Sequence, residues 1–176
     1  MMSRTTALLS VMLTIFATTL AFCSPIAAAQ KTAVFPFDLR DVEQEGEVVP
    51  RLKPADLQRL KLIAEELKIL LAKDERYEVV DLTPYEKEVE AASPFSKCNG
   101  CEADLAKKFG ADLAVTGYVD KLSDSLISLQ LFARDAQSGQ LTKSMSAEIR
   151  GNTDELWLHG IRYLWRNRFN VEAPKR

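Results

Sequence analysis

The sequence predicts an α/β domain of the α+β sandwich kind: one mixed sheet that ends in a three-strand antiparallel meander, with helices packed mainly on one face. Three observations carry this expectation. Over residues 113–149, three consecutive runs alternate apolar and polar side chains with the two-residue period of a half-buried strand. Over residues 54–71, leucines recur at spacings of three and four, the period of a helix with one apolar stripe. Short apolar runs stand on either side of that helix, at 33–37 and 77–82, and such an order favours a sheet with the helix laid on it.

The chain opens on a segment unlike the rest. Arg4 supplies a positive start, residues 7–22 carry no charge, Pro25 interrupts them, and Ala27-Ala28-Ala29 offers the small residues of a cleavage site. These are the three parts of a secretory signal peptide. The apolar stretch is shorter than the roughly 20 residues that a membrane span needs. Residues 1–29 are therefore expected to be removed after Ala29, leaving 30–176 as one soluble periplasmic domain with no stable membrane span. Cys23 would become the first residue of a lipoprotein, but that processing favours a small residue just before the cysteine. Phe22 stands there, so a lipid anchor is not expected.

Residues 33–37 read as a first strand, with Pro36 held to an edge or a bulge because it has no N–H for a ladder. Residues 39–53 lack helical period and gather Asp41, Glu43, Glu45 and Glu47 around Gly46, as an exposed acidic loop or short hairpin would. Pro54 opens the long helix in the turn where proline is tolerated. Leu57, Leu60, Ile63, Ala64, Leu67, Leu70 and Leu71 make its stripe, which Leu62 and Ile69 widen.

A second strand covers 77–82. Thr83 and Pro84 cap and open a short polar helix that ends near Ala92. A loop over 93–100 holds Cys98. A further short helix puts Cys101, Leu105 and Phe109 on one face and stops at Gly110. The meander turns at Ser123-Asp124 and Ser138-Gly139 and keeps one wet face. Asn152 then caps a last helix with Trp157, Ile161, Leu164 and Trp165 inward and His159, Arg162 and Arg166 opposite.

Several of these pieces resemble a known family. They are the Ala-Val-Phe-Pro-Phe strand after a signal peptide, the leucine-rich helix, and the Tyr-Glu-Val-Val-Asp strand. To these are added a cysteine near a short helix, the run from Phe109-Gly110-Ala111-Asp112 to Thr116-Gly117-Tyr118-Val119, and the turn Asp135-Ala136-Gln137-Ser138-Gly139. Together, over residues 32–150, they resemble the N-terminal domain of the Tol-system protein TolB and its envelope relatives, nearest to exported proteins grouped only as domains of unknown function. The resemblance implies a small α/β sandwich that binds other envelope proteins, and it brings no catalytic residues. The residues after 150 do not read as the β-propeller that follows in TolB, so Tol-specific partners are not carried over.

The residues themselves narrow the chemistry. With 25 acidic and 23 basic side chains and a net charge of −2, the chain shows no clustered basic surface of the kind nucleic acid requires. The strongest chemical motif is Cys98-Asn99-Gly100-Cys101. A disulfide suits an oxidising periplasm, and a small structural bridge is the leading expectation. A redox pair at a helix start, free thiols, and half of a metal site remain open for the same residues. Closed structural zinc wants four ligands, and the single histidine, His159, is far away in sequence. Covalent haem needs a histidine after the second cysteine, where Glu102 stands.

Gly110 to Gly117 lacks the Gly-Lys-Ser/Thr ending of a phosphate loop, and the acidic run lacks the alternation of a calcium loop. No cofactor is expected. Nor does any nucleophile sit beside a base in recognisable context, so the chain is expected to be a non-enzymatic accessory or binding protein of the envelope. Glu43, Glu45 and Glu47, and Arg162 with Arg166, are its candidate partner-binding residues. The competing expectation is a periplasmic thiol–disulfide module at Cys98 and Cys101.

Overall fold

Alternation, turn residues and apolar runs build one sheet of six strands: β1 (Gln30–Val34), β2 (Asp38–Asp41), β3 (Tyr77–Val79), β4 (Leu113–Ser123), β5 (Leu126–Asp135) and β6 (Leu141–Arg150). They are seen in a computed structural model that describes residues 28–41 and 53–171. The order across the sheet is β3-β1-β4-β5-β6, and β2 continues beside β4 on the side of β1. Pairing is parallel through β3, β1, β2 and β4 and antiparallel through β4, β5 and β6. The mixed sheet with a C-terminal meander is therefore as the sequence predicts.

The flank of β4 carries the first departure. Val34 faces Val115, whereas Asp38 faces Tyr118, so one extra residue is absorbed between them. Phe35, Pro36 and Phe37 take it up, and Pro36 projects outward where its missing N–H costs no ladder bond. Beyond this bulge the ladder of β4 still has backbone groups to offer. It captures residues 38–41 as β2, where the sequence suggests the start of a loop or hairpin. The rest of the acidic run, with Glu43, Glu45 and Glu47, lies outside the described residues.

Among the described residues four α-helices complete the fold: α1 (Pro54–Ala72), α2 (Glu86–Ala92), α3 (Cys101–Lys108) and α4 (Asp154–Leu164). The two longest share one face of the sheet. There Leu60, Ile63, Leu67 and Leu71 of α1 and Trp157, Ile161 and Leu164 of α4 close over Val115, Val119, Leu129 and Leu131. Burying one such side chain is worth about 1.5–3 kcal/mol, so this layer is the main source of stability. A π-helical turn over Trp165–Phe169 extends α4, and it stacks Trp165 on Phe169 with centroids 5.4 Å apart.

On the opposite face, α2, α3 and a 3-10 turn over Phe95–Lys97 cover only the β1 and β4 end. Ala33, Phe35, Val89, Phe95, Ala106 and Phe109 form a second, smaller core there. Gly117 lies under Phe37 of the main core, where a Cβ at its position would lie 1.9 Å from Cε1 of the ring. The ring rests against β4 where only a hydrogen fits.

Three local expectations are corrected. Leu57 is exposed, and Asp56 takes the inward position at the start of α1 because Lys121, Arg59 and Asn152 meet its carboxylate. Thr153, not Asn152, caps α4, its Oγ1 accepting from the Leu156 N–H at 3.4 Å. Asn152 is engaged instead by Trp157, whose indole N–H donates to Oδ1 at 2.9 Å. Finally, β3 ends at Val79, and the Asp81 carboxylate accepts from the Thr83 N–H at 2.9 Å to start a 3-10 turn over Thr83–Tyr85 before α2.

Candidate functional site

Among the described residues no helix covers the outer face of the meander, and the chemistry collects at the edge of that area. Alternation along β4 and β5 points Thr116, Tyr118, Phe132 and Arg134 away from the main core. The turn over Phe95–Lys97 and the start of α3 stop beside these residues and do not cross them. What results is a half-open cleft of about 150 Å³, lined by Phe95, Ser96, Cys98 and Glu102 on one wall and by the four strand residues on the floor.

Cys98 and Cys101 are joined in a disulfide, with Cα atoms 5.8 Å apart. Gly100 makes the link possible: at φ 104° it takes the left-handed conformation that turns the chain from Cys98 into α3. Cys101 occupies the first position of that helix. Phe95 anchors the preceding turn by packing on Phe35 with centroids 4.7 Å apart, and the Ser96 N–H donates to Asp38 Oδ2 at 2.7 Å.

Glu102 is the residue that sequence reading passed over. An acidic side chain in the first turn of a helix ordinarily faces water, where it suits the helix dipole. Here it turns inward and is only 5% exposed. Arg134 holds it, Nε donating to Oε1 at 2.8 Å while Nη1 donates to the Gly139 carbonyl at 2.7 Å. The other oxygen, Oε2, lies 3.3 Å from Cys98 Sγ. A disulfide sulfur has no proton, so this is a contact and not a hydrogen bond.

Further along the bare face, Tyr118 and Phe132 stack with centroids 5.5 Å apart, and the Arg40 guanidinium lies over Tyr118 at 5.7 Å. Arg40 Nε donates to Asp120 Oδ1 at 2.7 Å, and Gln130 donates to the second oxygen at 2.9 Å. In both ion pairs the carboxylate is buried, but only one guanidinium faces outward: Arg40 is 58% exposed over an Asp120 that is 7% exposed, whereas Arg134 is 20% exposed.

The remaining predicted residues lie elsewhere. Arg162 pairs with Glu66 at 2.7 Å and ties α4 to α1, while Arg166 and His159 are exposed on α4 and its extension. These belong to the sheet face opposite the cleft. A buried polar network lies under the start of α1. Lys121 Nζ meets Asp56 Oδ2 at 3.2 Å and Asp124 Oδ1 at 2.7 Å, with both Lys121 and Asp56 only 1% exposed. Burial opposes the Lys121 charge, but hydrogen bonds to Asp124 and Asp56 outweigh it and raise the ammonium above its ordinary value. Hydrogen bonds from Lys121 and Lys53 hold Asp124 down at about 2.

Were the disulfide opened, Cys98, Cys101 and Glu102 would present three ligand atoms within 4.8 Å of one another. That is one ligand short of the four of a closed tetrahedral zinc site. No helix among the described residues is long and apolar enough to cross a membrane.

The mixed sheet with its two-layered core defines a class of small α/β domain, and solved structures share that fold. Lipoprotein GNA1162 from Neisseria meningitidis is 16% identical with a TM-score of 0.52, covering 82% of this chain and 99% of that one. A PelC dodecamer from Paraburkholderia phytofirmans is 13% identical with a TM-score of 0.50, covering 78% and 88%. The NMR structure of E. coli LpoB is 14% identical with a TM-score of 0.50, covering 71% and 58%. At these identities the likeness is one of fold.

Residues 30–169 match the family DUF3280, described as Protein of unknown function (DUF2380), and the chain belongs to that family. No curated protein matches it in sequence.

Proposed function

We propose that this protein is an exported, periplasmic accessory protein that works without catalysis by binding another envelope protein, and that the partner docks on the bare face of β4, β5 and β6. The single observation that carries this is the uncovered sheet. Thr142, Ser144, Ser146 and Glu148 of β6 are all exposed, and among the described residues no helix covers them or the Tyr118–Phe132 pair beside them. The sheet ends in a ten-residue edge strand that can accept a further strand through its backbone groups, and an arginine over an aromatic pair, as Arg40 is over Tyr118 stacked on Phe132, is the kind of side chain that anchors interfaces.

The reading is supported by the signal-like residues 1–29 and by the resemblance to the TolB N-terminal domain and its envelope relatives. Removal of residues 1–29 would leave the domain that begins at Gln30, where the family match also begins. The charged residues Glu43, Glu45 and Glu47, and Arg162 with Arg166, would then set association rate more than affinity.

The test is affinity capture from a periplasmic extract, followed by mass spectrometry, with the wild type beside a Ser144→Arg, Ser146→Arg variant. The wild type should retain a discrete partner and the variant should lose it while keeping its far-UV spectrum. Retention of the same partner by the variant contradicts the assigned surface. Turnover of a small molecule by the purified protein contradicts the non-catalytic reading.

A second reading, a thiol–disulfide module at Cys98 and Cys101, is favoured by one specific observation: a buried carboxylate lies against Cys98 Sγ at the mouth of a cleft.

A further inference from the structure

We propose that the Cys98–Cys101 bond exchanges through Cys98, that Glu102 carries the proton for the exchange, and that the substrate is a pair of cysteine thiols in a polypeptide laid in the cleft. The inference rests on the thiol–disulfide reading of this pair and assigns its parts.

Access distinguishes the two sulfurs. Cys98 lines the cleft, together with Phe95, Tyr118 and Phe132, whereas Cys101 does not line it. An incoming chain that stacks on the aromatic floor therefore meets Cys98 first. Cys101 opens an eight-residue helix, and the partial positive charge of a helix start stabilises a departing thiolate.

Glu102 supplies the second argument. Its side chain is 7% exposed, Arg134 takes Oε1, and Oε2 faces Cys98 Sγ at 3.3 Å. In the oxidised protein no donor among the described residues reaches Oε2. Opening the bond creates one, because a Cys98 thiol at that distance donates to the carboxylate. Arg134 compensates this buried carboxylate through Oε1 alone, which leaves Oε2 turned to the sulfur. The charged groups around Sγ are Glu102 of α3 and, behind it, Arg134 of β5. Asp38 of β2 is turned to the Ser96 N–H, and Lys97 on the turn is exposed.

The step balances as follows. A substrate thiol gives its proton to Glu102 and its sulfur attacks Cys98 Sγ. The Cys98–Cys101 bond breaks, and its electron pair leaves on Cys101 Sγ. The second substrate thiolate then attacks the substrate sulfur bonded to Cys98, and Cys98 departs, taking the proton from Glu102. Cys101 takes the proton that the second substrate thiol releases to water. The substrate cysteine pair is oxidised by two electrons and the protein disulfide is reduced by two.

The experiment mixes the oxidised protein with a reduced peptide carrying two cysteines, quenches by alkylation at intervals, and maps products by mass. The peptide should be oxidised one for one with loss of the protein disulfide, and the trapped mixed disulfide should sit on Cys98. Glu102→Gln should slow exchange at least tenfold, a positioned proton carrier being worth about 10²–10⁴-fold. In the reduced protein it should also move the pH midpoint of Cys98 alkylation downward, because a neighbouring negative charge has gone. A merely structural Glu102 would move neither. If dithiothreitol opens the bond but the peptide never does, the thiol–disulfide reading itself falls. If exchange proceeds with the adduct on Cys101, or at an unchanged rate in Glu102→Gln, the reading stands and the assignment made here is overturned. Should the variant fail to fold, the adduct position in the wild type decides.

Discussion

Asp56→Ala should be among the most damaging single substitutions outside the apolar core. Its carboxylate, 1% exposed, receives Arg59 Nη1 at 2.9 Å, Asn152 Nδ2 at 3.2 Å and Lys121 Nζ at 3.2 Å. Truncation leaves the Lys121 ammonium, itself 1% exposed, facing Asp124, which is 66% exposed and partly spent on Lys53. Breaking a buried ion pair from one side costs about 3–5 kcal/mol. The surviving contacts Lys121–Asp124 and Arg59–Asp154 place the expectation at the lower end, about 3 kcal/mol. For a domain of this size that is a fall in Tm of about 6–12 °C. Urea unfolding followed by circular dichroism measures it, provided m is unchanged. Asp56→Leu combined with Lys121→Met should recover most of the loss, because an apolar pair of similar volume often replaces a buried ion pair at no net cost. A cost below about 1 kcal/mol for Asp56→Ala, or a double variant weaker than the single one, would refute the reasoning.

The remaining expectations concern the cleft and its surroundings. Gly117→Ala should destabilise by about 1–3 kcal/mol in the same unfolding assay, because its Cβ would meet the Phe37 ring at 1.9 Å. Replacing Cys98 and Cys101 together by Ala should cost about 2 kcal/mol or less, since a bridge with a sequence separation of 3 closes a very short loop. Asp124 is depressed to about 2 by Lys121 and Lys53, so its contribution to stability is present above the unfolded value of about 3.9 and is lost as pH falls through about 2. Asp124→Asn should therefore flatten the pH dependence of unfolding between about 4 and 2. Intact mass of periplasmic material should begin at Gln30 without lipid, and a diacylated chain starting at Cys23 would contradict that.

Much of the fold was legible because it follows from periodicity. Ile127, Leu129, Leu131 and Ala133 alternate with polar residues, and the pleat alone sends them into the core. Leu60, Ile63, Leu67 and Leu71 follow the same logic on α1. What escaped depends on distant partners. The strand at 38–41 has no apolar pattern of its own and exists because β4 continues past the bulge. Asp56 and Leu57 exchange roles because Lys121, which is 65 residues away, lies under the helix start. Glu102 looks like an ordinary first-turn acid. Its partner Arg134 stands on a strand 32 residues later. The one available sign was parity: Arg134 falls on the same face as Phe132, away from the main core, where a charged residue flanked by covered sheet needs a counter-ion.

The account turns on whether the bare meander face meets another protein. A photo-reactive residue placed at Ser146, with a control at Lys61 on the far side of the fold, tests this in intact cells; both positions are exposed. Irradiation should give one discrete higher-mass adduct from Ser146 and none from Lys61. Adducts from Lys61 alone, or from neither position, would contradict the proposal that this face is the binding surface.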